Sequence, residues 1–350
     1  MSKKGNTQTR VAIRKKRKLR KWVYFVFIPI LIAFLGVVGY GGYLYFKAES
    51  IAKDSHKDDG REKSDLRVEK VDPDVDNVSV LIMGVDESDH RDNAEDTRTD
   101  ALILATFNKD DKSVKLHSIP RDSYVYIPEV GYEDKINHAH AYGDHHSTIE
   151  TVENLLNIPV DYWVKLNFQA FVDVIDAIDG VEVDVPYEFR ESDSNDKRNS
   201  IHLLPGKQTL NGEEALAFAR TRKHDNDIER GKRQLEIIES VVDKATDFSS
   251  ILKLDNIFQA VGDNIETNML FSEMKSFAAY GMDRDDLSIE TYTLEGTDYQ
   301  PGSTYYWHLD DLALEETKEL LKDHLDLSDS SLVEKEYEQE RATPNPEHHY

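Results

Sequence analysis

The feature that most constrains this chain is an uncharged stretch of 25 residues near its start. Trp22 to Phe46 contains no Lys, Arg, Asp or Glu, and as a helix it would be about 37 Å long, enough to cross a hydrocarbon core of about 30 Å. Aromatic residues stand at both ends of the stretch, where the two membrane interfaces would lie. The pattern predicts a transmembrane helix over residues 22–46. A cleaved signal peptide is the alternative, but its apolar stretch would be shorter.

The charges on the two sides of this helix predict its orientation. The first 21 residues carry ten Lys and Arg and no carboxylate; since the whole chain has a net charge of −25, the remainder has −35. A basic flank marks the cytoplasmic side, so we expect a single-pass protein of the cell membrane with its C-terminal domain outside. A surface this acidic is a poor partner for nucleic acid. The absence of cysteine means that the domain folds without disulfides.

Composition divides the exported part into three segments. Residues 47–77 are highly charged and show no apolar periodicity, which predicts a flexible extracellular stalk spanning about 30 Å. Residues 78–330 contain the apolar runs expected of one folded domain. Residues 331–350 form an acidic tail that we expect to be disordered.

Short apolar runs and helical periodicity alternate within the domain. Runs in which Val, Ile and Leu occupy both odd and even positions predict strands buried on both faces. Amphipathic spacing predicts helices. The predicted strands are Val78–Val85, Ala101–Phe107, Val114–Ile119, Val160–Leu166 and Val181–Val185, and the predicted helices begin at Phe168, Glu213 and Glu229. This mixture indicates an α/β fold in which helices flank a central mixed β-sheet.

The ends of the first three strands are predicted to bring charged residues to one edge of the sheet. In a meander these residues are Asp86, Arg98, Asp100 and Arg121. Arg98 and Asp100 are two residues apart on an extended backbone, so they would project to the same side. Two carboxylates suit a hard cation such as magnesium, and arginines bind phosphate through forked hydrogen bonds. The set predicts a site for a metal-bound diphosphate; the alternative is two salt bridges, Asp86–Arg98 and Asp100–Arg121.

A second group of cations follows later in the chain. Arg220 and Arg222 come directly after a predicted helix, and Arg230, Arg233 and Gln234 lie on the next one. Arg230 and Gln234 are four residues apart and share a helix face. In a domain this acidic, such grouping favours a bound anion. The alternative is that Arg230 and Arg233 pair with acidic neighbours, namely Asp225, Asp227 or Glu236.

Seven short motifs occur in a fixed order along residues 78–238. They are Leu81-Ile82-Met83-Gly84-Val85-Asp86, Arg98-Thr99-Asp100-Ala101, Ser118-Ile119-Pro120-Arg121-Asp122, Lys135-Ile136-Asn137-His138-Ala139, Leu210-Asn211-Gly212-Glu213-Glu214-Ala215-Leu216, Ala219-Arg220-Thr221-Arg222, and Asp227 with Arg230 and Arg233-Gln234. Together with the membrane anchor, they resemble the LytR-CpsA-Psr family of cell-wall proteins. Each motif alone is weak, and their order makes the resemblance specific.

The resemblance implies a function and a site. Family members transfer an anionic glycopolymer, usually wall teichoic acid or a capsule-like polymer, from a polyprenyl diphosphate carrier in the membrane lipid to peptidoglycan, forming a phosphodiester. By the family pattern, Asp86 and Asp100 would hold magnesium or manganese, and an apolar pocket would enclose the prenyl chain. The pyrophosphate would be bound by Arg98, Arg121, Arg220, Arg222, Arg230 and Gln234. Catalysis would rest on Asp86, Arg98, Asp100 and Arg121, with Asp86 or an aspartate near it as the general base.

The residues also allow three other interpretations of the site or of the chain. A phosphatase acting on the same lipid diphosphate would use this site with water as the acceptor. A membrane-bound regulator of transcription would need a DNA-binding fold, for which 21 cytoplasmic residues are too few. His138, His140, His145 and His146 lie within nine residues, a spacing that can bind zinc, although the family pattern makes this segment a structural loop.

Overall fold

The computed structural model describes residues 39–58, 60–85, 97–223, 227–245, 264–282 and 287–327. The chain divides between Phe46 and Lys47 into two units, and the fold given below is that of the second. The second unit opens with a helix, α1, over residues 47–55. Among the described residues, no helix combines the length and the apolar character needed to cross a bilayer. Residues 22–38 of the predicted transmembrane helix and the predicted tail lie outside the described residues.

The domain contains both strands and helices. The strands are β1 Val78–Val85, β2 Thr99–Asn108, β3 Ser113–Ser118, β4 Tyr124–Ile127, β5 Tyr132–Lys135, β6 Tyr162–Asn167, β7 Val181–Val185, β8 Phe189–Glu191, β9 Ile201–Leu203, β10 Gly206–Leu210, β11 Ile265–Thr267, β12 Ser288–Thr293, β13 Gly296–Tyr299 and β14 Tyr306–Leu309. The helices are α2 His138–Leu156, α3 Phe168–Ala177, α4 Gly212–Arg220, α5 Asp227–Ala245, α6 Phe271–Met282 and α7 Asp311–His324. Every strand and helix predicted within residues 78–245 is present, with its ends shifted by no more than two residues.

The central sheet has six strands in the order β11-β6-β1-β2-β3-β12. β1 pairs antiparallel with β2, and β2 antiparallel with β3, so these three strands form the predicted meander. β1 also pairs parallel with β6, and β3 parallel with β12. The sheet is therefore mixed, and the predicted α/β fold with a central mixed sheet and flanking helices is confirmed.

Different apolar layers cover the two faces of the sheet. Leu81 and Leu104 face a layer built from α2, α7 and the hairpins β4–β5 and β13–β14. Val80 and Ile103 face the other layer, which contains α5 and α6. This alternation along β1 and β2 follows from the two-residue period of a strand. A third cluster joins α3, α4, β7 and β10 to α5.

Residues 61–71, which we call the docked segment, pack on the domain although the sequence predicted a flexible stalk there. Leu66 is only 1% exposed. Arg67 forms a bidentate pair with Asp161, with N–O distances of 2.8 and 3.0 Å, and Arg61 pairs with Glu153 of α2. The stalk prediction is wrong for this segment, because a charged composition does not reveal whether each charge has a partner on the domain.

Candidate active site

The edge of the sheet at the end of β1 carries a β-bulge. Val85 pairs with Thr99 where a regular ladder would pair it with Asp100, so Asp100 is the extra residue of β2. A bulge redirects the side chain of the extra residue and interrupts the alternation of the strand. Asp100 lines the pocket described next, whereas Arg98 precedes β2, is exposed and does not line it. We expected Arg98 and Asp100 to project to the same side because residues two apart do so on a regular strand. The bulge at Asp100 breaks this regularity, so the expectation is wrong.

Beside the bulge lies a polar pocket of about 390 Å³, which we call the cationic pocket. It is bounded by the residues that follow β3, the C-terminal end of α4 and the first turns of α5. Its charged and amide side chains are Asp100, Arg121, Glu191, Arg220, Arg222, Lys223, Arg230 and Gln234. Five cations and two carboxylates give the lining a net charge of +3, although residues 22–350 together carry −35. Of the residues predicted to bind pyrophosphate, all but Arg98 meet here.

Local contacts fix the two helices that carry these arginines. α4 begins with a capping box, in which the side chains of Asn211 and Glu214 each bond to the backbone of the other residue. Arg233 of α5 is buried and donates from Nε to the carbonyl oxygen of Phe218 at 2.9 Å, which ties α5 to the end of α4. A Cβ atom at Gly231 would lie 2.6 Å from Oγ of Ser118, so glycine allows α5 to approach β3. Arg233 therefore has a structural role.

Three arginines of the pocket have buried N–H groups with hydrogen bonds left to make. Nε of Arg121, Nη1 of Arg220 and Nε of Arg230 are buried, and within the described part of the chain none of them donates a hydrogen bond. A buried donor without an acceptor costs about 1–3 kcal/mol. The guanidinium of Arg220 also lies 4.8 Å from the centre of the Phe168 ring, which orients it. Such donors are what an anionic ligand would complete.

Carboxylates hold the same arginines in place. Arg121 pairs with Asp100, and Nη1 of Arg230 lies 2.9 Å from Oδ1 of Asp227. Burial, followed by the nearby Arg121, lowers the pKa of Arg230 to about 10. Burial also acts to lower the pKa of Arg121, but the neighbouring carboxylates outweigh it and raise that pKa. The ion pairs Asp100–Arg121 and Asp227–Arg230, which the sequence analysis gave as alternatives to a ligand site, therefore exist. They hold the arginines that line the pocket.

Two acids, the buried Asp122 and the half-buried Asp227, share a hydrogen bond beside Arg121. Burial and then this hydrogen bond raise the pKa of Asp227. Burial acts to raise the pKa of Asp122 as well, but its bonds to Asp227 and Lys135 outweigh burial and lower it. Nζ of Lys135 lies 2.7 Å from Oδ1 of Asp122. These three residues were not among the predicted site residues, although all stand in the quoted motifs.

An apolar groove opens from the cationic pocket between the sheet and helices α3, α4 and α5. Its volume is about 120 Å³. The apolar lining is formed by Ile82, Ala101, Ile103, Leu166, Phe168, Phe171, Leu216, Ile237 and Ile238. Asp100, Arg220 and Gln234 line both the groove and the pocket, so the two spaces meet at these side chains. A ligand with an anionic head and an apolar tail would fit across this junction.

The histidines that could have bound zinc lie against carboxylates. His138 is 2.7 Å from Asp134, while His140 and His145 are 2.9 and 3.3 Å from Asp144. Asp144 has a positive φ of 56° at a kink within α2, so its contacts with His140 and His145 stabilise the kink. Among the described residues, no group of three or more His, Cys, Asp or Glu side chains is arranged to hold a metal ion. Asp86, the other predicted metal ligand, lies outside them.

Comparisons with known proteins point to one family. Residues 42–323 match the model of the LytR_cpsA_psr family. The polyisoprenyl-teichoic acid–peptidoglycan teichoic acid transferase TagT of Bacillus subtilis (strain 168) is 40% identical over 317 residues, which cover 89% of this chain and 97% of that protein. A structure of TagT bound to LIIa-WTA has a TM-score of 0.65 at 38% identity, covering 77% of this chain and 98% of that chain. TagT with bound octaprenyl pyrophosphate lipid has a TM-score of 0.61 at 35% identity, with the same coverage.

Proposed function

This chain belongs to the LytR-CpsA-Psr family, and from that premise we propose that it transfers wall teichoic acid from a polyprenyl diphosphate carrier to peptidoglycan. The observation that carries the proposal is the junction of the cationic pocket with the apolar groove at Asp100, Arg220 and Gln234. A diphosphate joined to a hydrocarbon chain matches both parts of that junction. The name of TagT and its structure with bound octaprenyl pyrophosphate support the same class of substrate.

The arginines would bind the diphosphate and stabilise the charge that develops on it. The buried N–H groups of Arg121, Arg220 and Arg230 can donate charge-assisted hydrogen bonds to phosphate oxygens. Donors already fixed by ion pairs and ring contacts stabilise transition-state charge without having to reorganise. Loss of one such donor lowers an enzymatic rate by about 10²–10³-fold.

The proposed reaction replaces a phosphoanhydride bond of the lipid diphosphate with a phosphate ester to peptidoglycan. A hydroxyl oxygen of peptidoglycan attacks the phosphorus that carries the polymer; the new P–O bond forms as the bond to the lipid phosphate breaks, and lipid monophosphate leaves. The hydroxyl proton would pass to Asp227, because its raised pKa makes it a stronger base than an ordinary aspartate. It also lies beside Arg121 and Arg230, at 4.0 and 2.9 Å.

We further propose that Asp100 and Asp86 hold a magnesium or manganese ion. Asp100 suits this role because its carboxylate, 30% exposed, stands where the pocket meets the groove and is held by Arg121. A divalent cation there would neutralise charge on the diphosphate. With Asp86 as a ligand, the role of general base falls to Asp227.

The lipid-linked donor implies a place at the cell membrane. We propose that residues 22–46 span it, with the N-terminus in the cytoplasm and the domain outside. Because the chain has no cysteine, single cysteines can report on this topology. Ser303→Cys in intact cells should react with a membrane-impermeant maleimide, and Ser2→Cys should not. Labelling of Ser2→Cys alone would reverse the proposed orientation.

The direct test of function is transfer in vitro by the full-length chain in detergent. With a lipid-diphosphate-linked teichoic acid precursor, magnesium and peptidoglycan fragments, we expect fragments joined to polymer through a phosphodiester. Asp100→Ala and Arg121→Ala should each lower the rate by about 10²-fold or more. Lys232→Ala removes a cation from the exposed face of α5 and is the matched control, expected to change the rate little. Chelation should abolish transfer, and added magnesium should restore it.

Each contrary result has a distinct meaning. Polymer released without linkage to peptidoglycan would identify a hydrolase that uses water as the acceptor. Normal transfer by both Asp100→Ala and Arg121→Ala would refute the assignment of the site. Full activity in the presence of chelator would refute the proposed metal while leaving the arginines in their roles.

A further inference from the structure

A patch of aromatic rings lies on the hairpins of the α2–α7 layer, across the sheet from the apolar groove. It consists of Tyr124 of β4 with Tyr299, Tyr306 and His308 of the β13–β14 hairpin, and we call it the aromatic patch. The Tyr124 ring centre is 4.8 Å from that of Tyr306 and 5.7 Å from that of Tyr299. His308 lies 5.5 Å from Tyr299. The tyrosines are half-buried and His308 is exposed, so their rings form a surface.

The register of the hairpin places these rings on its outer face. Tyr299 and Tyr306 are directly opposite each other, and opposed residues of an antiparallel pair project to the same side. The alternate residues Trp307 and Leu309 join the core instead. The core therefore does not require the aromatic side chains on the outer face, where polar residues would have left the fold intact.

A short chain of contacts connects the patch to the cationic pocket. Nζ of Lys135 lies 5.7 Å from the ring centre of Tyr306 and 2.7 Å from Oδ1 of Asp122. Oδ2 of Asp122 is 3.8 Å from Nε of Arg121. The backbone N–H of Trp307 also donates to the carbonyl oxygen of Asp122 at 2.8 Å, which fixes the hairpin to the segment that carries Arg121. The patch is thus a rigid neighbour of the pocket.

The chemistry of the patch suits a sugar chain with little negative charge. Pyranose rings pack their C–H faces on aromatic rings, while tyrosine hydroxyls and carboxylates can bond to sugar hydroxyls. Burial raises the pKa of both Tyr124 and Tyr306. The carboxylate of Glu133 raises the pKa of Tyr124 further, and that of Asp134 raises the pKa of Tyr306, because each carboxylate lies near the ring. A polyanionic polymer would be repelled by this side of the domain.

We propose that the aromatic patch binds the glycan strand of the peptidoglycan acceptor. The proposal rests on the proposed function and adds the location of the second substrate. The lipid donor would enter from the groove on one side of the sheet, and the acceptor glycan would lie along the hairpins of the other. The two would meet at Arg121, which contacts Asp100 on the groove side and Asp122 on the patch side.

Two measurements on the full-length chain in detergent test this assignment. The first is a titration with a neutral β-1,4-linked N-acetylglucosamine tetramer without lipid donor; Tyr299→Ala and Tyr306→Ala should each weaken binding about tenfold. The second is transfer kinetics, in which the same variants should raise the KM for peptidoglycan fragments about tenfold and leave the KM for the lipid donor unchanged. The control is Tyr292→Ala in β12, which removes a ring that stacks on His117 of β3 and lies outside the aromatic patch.

The outcomes separate this proposal from the proposed function. Equal tetramer binding by wild type and both alanine variants, or a rise in the donor KM instead of the acceptor KM, would overturn it. If the chain proved unable to transfer polymer, the titration would still decide whether the patch binds glycan. Should an alanine variant misfold, Tyr299→Phe and Tyr306→Phe, which keep the ring, should retain binding, and Tyr299→Leu and Tyr306→Leu should lose it; any other pattern would contradict the proposal.

Discussion

Two aspartates of this domain, the buried Asp161 and the half-buried Asp227, stand beside arginines, yet they are held in opposite ways. Both oxygens of Asp161 accept hydrogen bonds from Arg67, at 3.0 and 2.8 Å, and the backbone N–H of Ser79 adds a third at 3.0 Å. Asp227 lies within 4.0 Å of three guanidinium groups and shares a hydrogen bond with Asp122. The first cluster is complete without a ligand. The second keeps buried donors on Arg121 and Arg230 that have no acceptor within the described part of the chain.

The comparison teaches that residue type does not separate a structural ion pair from a binding site. Both clusters combine Asp with Arg, and both are withdrawn from solvent. What differs is whether the hydrogen bonds close within the protein, since a closed set stabilises the fold and an open set fits a charged ligand. The Arg67–Asp161 pair attaches the docked segment to the domain, whereas the arginines around Asp227 surround a cavity.

The largest effect on stability is expected at the closed pair. Arg67→Ala leaves Asp161 buried without its cation, which should lower the free energy of unfolding by about 3–5 kcal/mol. The measurement is chemical denaturation of the full-length chain, followed by tryptophan fluorescence. Lys53→Ala, at a side chain that is 72% exposed, is the control and should cost less than about 1 kcal/mol.

A double variant shows whether this loss comes from an unpaired buried charge. Arg67→Met combined with Asp161→Leu removes both charges and should recover most of the loss, because neither group then has to be desolvated. If Arg67→Ala cost no more than the control, the docked segment would contribute little to stability.

The central fold could be predicted because burial on both faces leaves a plain pattern. β1, β2 and β3 are dense in Val, Ile and Leu, and the predicted ends differ from the observed ends by no more than two residues. The hairpins β4–β5 and β13–β14 were not predicted, since their strands are only four residues long and their outer faces mix aromatic with polar side chains. The region that we assign to the acceptor was therefore missing from the sequence interpretation.

At the site, the sequence indicated which residues meet but not how each is oriented. Arg98 was grouped with Asp100 on the strand period alone, and the bulge at Asp100 carries no sequence signal. Asp227 was named in a motif and as a possible partner for arginine but not as a base, because its raised pKa arises from burial and from Asp122, which is distant in sequence. Likewise, the partner of Arg67 lies 94 residues further along the chain. Tertiary contacts decide all three cases.

The pH dependence of transfer sharpens the comparison at the second aspartate. Asp227 can accept a proton only when ionised, and its pKa is raised above the ordinary value of 3.8. The value of kcat should therefore fall as the pH is lowered through a midpoint above 3.8. Asp227→Asn should lower kcat by about 10²-fold, the low end of the range for general bases because water can still take the proton, and should remove this acid limb.

The matched control for this profile is the Arg67→Met and Asp161→Leu double variant, which alters the other aspartate. It should keep the wild-type acid limb, since Asp161 takes no part in the reaction. Circular dichroism at each pH separates loss of catalysis from loss of folding. If Asp227→Asn kept both its rate and its acid limb, the base would lie elsewhere. Asp227 would then resemble Asp161 in that its carboxylate only orients arginines. The two clusters would differ only in the N–H groups of Arg121 and Arg230, which have no acceptor within the described part of the chain.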